Sequence, residues 1–189
     1  MPDEAAYLQT PAQTVGPFFG YALPYDGGPE VAAPWRPDAI VFHGTVFDGA
    51  GQPVPDAIVE IWHADADGRP ISERGSLTRD GRTVTGFGRA PVDRDGHYAF
   101  TTVKPGAGRG APFVLVTIFA RGLTHHLFTR AYFDDEEPRN ADDAFLSGID
   151  AARRGTLIAA SDGASSYRFD IRLQGDGETV FLHFEGTAR

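Results

Sequence analysis

The sequence predicts an all-β chain: an antiparallel β-sandwich of about seven or eight short strands, with an irregular N-terminal arm and one short helix. Three observations carry this. Within Ala111–Gly122, Ala-Pro-Phe-Val-Leu-Val-Thr-Ile-Phe-Ala-Arg-Gly, the residues Phe113 to Ala120 hold no charge and are rich in β-branched and aromatic types, the composition of a buried strand. Tyr167-Arg-Phe-Asp-Ile-Arg-Leu-Gln174 alternates without a fault, as a strand with one solvated face does. Gly (23) and Pro (14) are frequent for a helical protein and cluster with Asp between such runs, where turns belong. A chain of 189 residues fits one domain with a sizeable core.

The first 37 residues are rich in Pro, Gly and Ala and show no sustained period. Val15, Phe18, Phe19 and Tyr21 are too apolar for free solvent, so residues 1–37 are expected to form an arm lying across a surface, this chain's or a neighbour's. The β-domain is expected over 38–189. Ile40–Phe47 is a strand, Asp48–Gln52 a turn, Ala57–His63 the next strand, and Asp65-Ala-Asp-Gly68 another turn. Residues 69–95 are polar and read as irregular, closed by Asp93-Arg-Asp-Gly96 before a strand over His97–Val103. Lys104-Pro-Gly106 then turns into the apolar strand. Beyond it come a strand from His126 to Phe133, an exposed acidic loop at Asp134–Pro138, and the helix over 141–153, where Ala144, Phe145, Ile149 and Ala152 have helical spacing. The alternating run 167–174 and a turn at Gly175–Glu178 lead into a last strand, Thr179–Phe184. Because Phe113–Ala120 is apolar on both faces, one face is expected to meet the chain's own core and the other a second protein.

Composition narrows the function. The chain has no cysteine, which removes disulfides, thiolate metal sites and cysteine nucleophiles and fits a reducing compartment. A net charge of -9, with basic residues that form no stripe, argues against nucleic acid as a partner. The N-terminus has neither the basic nor the apolar region of a signal peptide, and no apolar run approaches the roughly 18 residues of a membrane span. The expected location is the cytoplasm.

Among candidate sites, His125 and His126 are adjacent, and neighbours on a strand point to opposite faces, so one metal could not easily hold both. Asp134–Glu137 reads as a solvated loop and Asp65–Gly68 as a turn rather than a calcium loop. His63 and His97 sit at strand ends, where structural hydrogen bonding is the usual role. No phosphate loop, nucleophile elbow or dinucleotide fingerprint occurs. Arg121 stands apart: a guanidinium at the mouth of an apolar strand requires a carboxylate or a water-lined cleft, and a structural ion pair and a functional role both satisfy that need.

Six motifs occur in an order that resembles the intradiol ring-cleavage dioxygenases: Gln13-Thr-Val-Gly-Pro-Phe18, Val59-Glu-Ile-Trp-His-Ala-Asp-Ala-Asp-Gly68, Val103-Lys-Pro-Gly106, Phe119-Ala-Arg-Gly122, Tyr132-Phe-Asp-Asp135 and Tyr167-Arg-Phe-Asp-Ile171. The resemblance spans residues 10 to 185 and is to a chain of the alpha type. It implies a β-sandwich paired with a homologous beta chain in a higher-order alpha/beta assembly. The beta chain would hold Fe(III) through two tyrosines and two histidines in a His-x-His pattern. This sequence departs from that pattern: Phe113 and Leu115 occupy the His-x-His positions. No tyrosine lies between Asp26 and His97 or between Tyr98 and Tyr132, and Tyr98 reads as structural. The resemblance therefore implies no metal ligand and no catalytic residue in this chain. It implies instead that Thr14, Gly16, Pro17 and Arg121 line the substrate pocket of the partner's iron site. The implied reaction is cleavage of 3,4-dihydroxybenzoate by O2, between the hydroxylated carbons, to 3-carboxy-cis,cis-muconate. Residues 44–58 and 95–100 also resemble transthyretin-like and carboxypeptidase-regulatory-like domains, which would make the chain a non-enzymatic binding or scaffold module. That alternative leaves Gln13–Phe18 and Ala120-Arg-Gly122 unexplained.

Overall fold

In the computed structural model, which describes residues 10–71 and 79–184, alternating side chains build nine strands. They are β1 (Ala39–Phe47), β2 (Ile58–Trp62), β3 (Phe87–Pro91), β4 (His97–Val103), β5 (Phe113–Phe119), β6 (Leu127–Phe133), β7 (Ile158–Gly163), β8 (Ser166–Arg168) and β9 (Ile171–Arg172). One hydrogen-bonded path runs β3-β2-β5-β6-β7-β8-β1-β4, with β9 also on β1. The sheet wraps around a single main core. Val114, Val116 and Ile118 of β5, Val59 and Ile61 of β2, Phe42 and Val46 of β1, and Tyr98 and Phe100 of β4 meet there with almost no exposure.

The two ends of the path, β3 and β4, are joined by residues 28–32. Gly28 O accepts from Arg89 N, Pro29 O accepts from Thr101 N, and Ala32 N donates to Thr101 O, each at 3.0 Å. Val31 is fully buried between these strands, and Gly88 is needed there because an added Cβ would lie 2.4 Å from the Val31 side chain. The result is a nearly closed, barrel-like sheet in which the unpaired edges are covered. Two arginines hold the segment down. Arg79 donates to the carbonyls of Gly27, Gly28 and Phe87 and to Thr85 Oγ1, while Arg89 pairs with Glu60 and reaches Leu23 O.

The chain is mostly β, as expected, but in place of the expected antiparallel sandwich its strands form one nearly closed, barrel-like sheet. The pairing is mixed rather than antiparallel, since β1 runs parallel to β8 and β9 and β6 parallel to β7. The run 167–174 keeps its alternation, with Phe169 and Ile171 buried, but breaks into β8 and β9 where Asp170 turns its carboxylate to Thr45 N. Strand β3 lies inside the stretch read as irregular, and β7 follows the helical region with no alternating pattern to announce it. Thr179–Phe184 is an extended tether rather than a full strand, making one bridge, Leu182 to Phe128. Instead of one helix, the described residues form four short α-helices: α1 (Phe19–Ala22), α2 (Glu137–Asp142), α3 (Ala144–Ser147) and α4 (Ala151–Arg154). The expected helix over 141–153 is interrupted because Asp143 and Asp150 adopt extended backbone and cap α3 and α4 with their side chains. Residues 1–9, on which the signal-peptide reading rests, and 72–78 of the irregular stretch lie outside the described residues.

The acidic run is also different from a solvated loop. Asp134 accepts from Ser161 N and Oγ, Asp135 accepts from Tyr167 Oη, and Lys104 Nζ bridges Asp135 and Glu136 at 2.7 and 2.9 Å. The only lysine also lies over the rings of Phe133 and Tyr167. The Lys-Pro-Gly, Tyr-Phe-Asp-Asp and Tyr-Arg-Phe-Asp motifs thus form one structural cluster.

Candidate functional site

The residues expected to form a pocket wall come from two distant parts of the chain. Strand β5 ends at Phe119 and delivers Arg121 into an exposed turn, where Gly122 takes φ +91°. The arm crosses this turn: Thr14 Oγ1 accepts from Gly122 N at 2.7 Å. That leaves the Thr14 hydroxyl hydrogen available as a donor. Five residues on from Thr14, Phe19 is buried and starts α1. Pro17 and Arg121 then face each other across a cleft of about 290 Å³, also lined by Phe19, Tyr21, Asp56 and Pro91. Thr14, Pro17 and Arg121 are therefore brought together. Gly16 lies between them, exposed, and an added Cβ there would meet nothing within 4 Å. Phe18 and Tyr21 project outward, 75% and 86% exposed.

Arg121 has both the partner and the cleft that its position demands. Its Nε donates to Asp56 Oδ2, and its side chain remains 62% exposed. Nothing in the sequence marks Asp56. It lies 65 positions from Arg121, in a Pro-Asp-Ala turn with no signal of its own, and only the β2–β5 pairing brings the two together.

The positions that the family resemblance matches to metal ligands lie at the other end of β5. Phe113 and Leu115 are on its outer face, away from the core, beside Tyr132 and Arg130 of β6 and Trp62 of β2. The Arg130 guanidinium sits between the rings of Phe113 and Phe145, 4.3 and 4.7 Å from their centroids. Arg130 also donates to Tyr132 Oη, and the Tyr132 phenol is pushed up to about 12 by burial, with Arg130 acting the other way. Part of this outer face, expected to meet a second protein, is covered by the chain itself, through a cluster of Phe113, Tyr132, Leu146, Leu157 and Val180. The residues do not fit a ferric ion, because phenylalanine and leucine carry no donor atom. Leu115 and Arg121 are six positions apart, on the order of 20 Å along an extended chain.

The histidines take structural places. His63 is buried, its Nδ1 donating to Ala64 O at 2.7 Å and its Nε2 accepting from Thr102 Oγ1 at 2.5 Å. His97 Nε2 meets His43 Nδ1 at 3.1 Å, and His43 Nε2 meets Asp162 at 2.8 Å. His126 stacks on Phe119, and His125 and His126, which precede β6 rather than alternating along a strand as expected, both line a separate cleft with Gln13 and Val15. Tyr98 donates to Phe169 O at 2.5 Å, and burial raises its pKa well above the usual value, as a structural tyrosine. Burial holds the His63 imidazole below the usual 6.5, the Ala64 carbonyl partly opposing it. The folded chain refuses a proton that the unfolded chain accepts. This contribution to stability is complete above pH 6.5 and is lost as pH falls from there toward the lowered folded value. The urea midpoint is expected to decline below pH 6.5 more steeply for wild type than for His63→Gln; parallel profiles would remove His63 as the cause.

The chain belongs to the intradiol ring-cleavage dioxygenase family. A family model described as Dioxygenase matches residues 32–111. Solved structures agree at the level of fold. The dioxygenase domain of a dioxygenase carbohydrate-binding protein fusion from Streptomyces sp. SirexAA-E aligns with a TM-score of 0.58 at 22% identity, covering 91% of this chain and 95% of that one. An intradiol ring-cleavage dioxygenase from Tetranychus urticae gives 0.58 at 15% identity, covering 97% and 94%. Within the family the chain is similar to the protocatechuate 3,4-dioxygenase alpha chain of Burkholderia cepacia, 42% identical over 192 residues that cover 92% of this chain and 96% of the relative. The Pseudomonas putida alpha chain is 40% identical, covering 93% and 96%. The protocatechuate 3,4-dioxygenase beta chain of Burkholderia cepacia is 32% identical, covering 75% and 67%.

Proposed function

We propose that this chain is the alpha subunit of a protocatechuate 3,4-dioxygenase and forms a wall of the substrate pocket at its beta partner's iron. The enzyme cleaves 3,4-dihydroxybenzoate between the hydroxylated carbons with O2, giving 3-carboxy-cis,cis-muconate, and works in the cytoplasm. Relatives that are dioxygenase chains and match more than nine-tenths of this chain leave the scaffold-module alternative without support.

One observation carries the division of labour. The Thr14, Pro17 and Arg121 constellation lies at the exit of β5, whereas Phe113 and Leu115 lie at its start. A wall so placed cannot serve this chain's own metal-matched positions and is free to serve another chain's. Exposed Phe18 and Tyr21, and a Gly16 around which this chain leaves open space, suit a surface that closes only against the beta chain. In that setting Gly16 lets backbone approach the aromatic ring, Pro17 supplies rigid apolar surface, Thr14 donates a hydrogen bond, and Arg121 meets the carboxylate. The iron, its Tyr/Tyr/His/His ligands and the reaction with O2 belong to the beta chain.

The reading is tested by expressing the chain alone and with its beta partner. Alone it is expected to bind no stoichiometric iron and to lack the wine-red colour of tyrosinate-bound Fe(III); together the two are expected to give a coloured, active complex. A coloured, active alpha chain on its own would sink the reading.

A further inference from the structure

We propose that Asp56 is a positioning residue that holds Arg121 in the orientation a substrate carboxylate requires, an inference resting on the reading of Arg121 as part of the pocket wall. Arg121 stands on an exposed turn, and a long side chain 62% exposed there would otherwise spread over many rotamers. Asp56 is the more fixed member of the pair. Its side chain is 28% exposed, and it sits between Pro55, whose ring restricts the backbone, and Ala57, which is buried with its carbonyl accepting from Val92 N at 3.0 Å.

The manner of the contact matters more than its existence. Asp56 takes the Nε–H of Arg121, and the two terminal nitrogens make no hydrogen bond among the described residues. Capture at Nε fixes the plane of the guanidinium and leaves its end-on pair of N–H groups as a fork, the geometry that binds a planar carboxylate through two parallel bonds. Asp56, Arg121, Pro17 and Tyr21 all line the same cleft. The ion pair also offsets the arginine's charge, so discrimination for a carboxylated ring would rest on the direction of the fork more than on attraction at a distance. An exposed ion pair contributes little to folding, which makes a purely structural purpose a weak account of this one.

The test uses the assembled alpha and beta holoenzyme. Asp56→Asn is expected to raise KM for 3,4-dihydroxybenzoate by about 3- to 10-fold, the scale of releasing one partly screened ion pair, with kcat and iron content near wild type. Binding of catechol, which lacks the carboxylate, is expected to stay unchanged, and Asp56→Glu to recover part of the loss. In the Arg121→Ala background, Asp56→Asn is expected to add nothing, because Asp56 acts through the arginine. An unchanged or lowered KM for Asp56→Asn, or additive effects in the double variant, would overturn the positioning role. If Arg121→Ala has no effect of its own, the wall reading fails; if Arg121→Ala has its effect and Asp56→Asn has none, only the positioning role fails.

Discussion

Arg121→Ala in the assembled complex is expected to lower kcat/KM for 3,4-dihydroxybenzoate by about 10- to 100-fold while leaving iron content at the wild-type level. A charge-assisted hydrogen bond contributes ~1.5 to 3 kcal/mol, and each ~1.4 kcal/mol is tenfold. The side chain is exposed and outside the core, so its removal is not expected to unfold the chain. The loss should appear in steady-state kinetics with the carboxylated substrate and not in metal analysis. Arg121→Lys is expected to recover only part of it, since an ammonium keeps the charge but not the planar fork. Unchanged kinetics in Arg121→Ala would take this residue out of the pocket, and parallel loss of iron would make its role structural.

Gly44→Ala is expected to destabilise the fold by about 3 kcal/mol or more, beyond the usual range for a single methyl group. Gly44 lies in β1, where the chain passes between Tyr98 and the break joining β8 to β9. An added Cβ would stand 1.9 Å from the Phe169 carbonyl oxygen and 3.1 Å from the Tyr98 hydroxyl. The obstacle is backbone, which cannot turn aside as a flexible side chain can. The same carbonyl accepts the Tyr98 hydrogen bond, and Phe169 N donates to His43 O at 2.7 Å, so displacing the segment breaks the seam that ties β1 to the end of the chain. Gly155→Ala, where nothing lies within 4 Å of the new methyl, serves as the control and is expected to stay within about 0.5 kcal/mol of wild type. Urea unfolding at matched protein concentration makes the comparison. A Gly44→Ala protein as stable as the control would show that the strands can separate there without cost.

The two expectations divide along the line between what was legible in the residues and what was not. Five strands could be read nearly to the residue, since Ile40–Phe47, Ala57–His63, His97–Val103, Phe113–Ala120 and His126–Phe133 coincide with β1, β2, β4, β5 and β6. Apolar periodicity is a local property, and these strands express it. The expectation that Thr14, Gly16 and Pro17 join Arg121 in a pocket wall rests on resemblance alone, because no local physical pattern marks an exposed threonine or proline for such a role.

By itself the sequence determined the mostly-β character, the absence of metal-binding atoms at Phe113 and Leu115, and the need of Arg121 for a partner. Each follows from residue type alone. Only the tertiary structure decided which partner Arg121 takes, where the sheet closes, and why glycine occupies position 44. Asp56 reaches Arg121 across 65 positions, residues 28–32 seal a seam between β3 and β4, and Phe169 crosses Gly44 from the far end of the chain. These are contacts between segments that carry no mark of one another, created when separate strands are brought into register around one core.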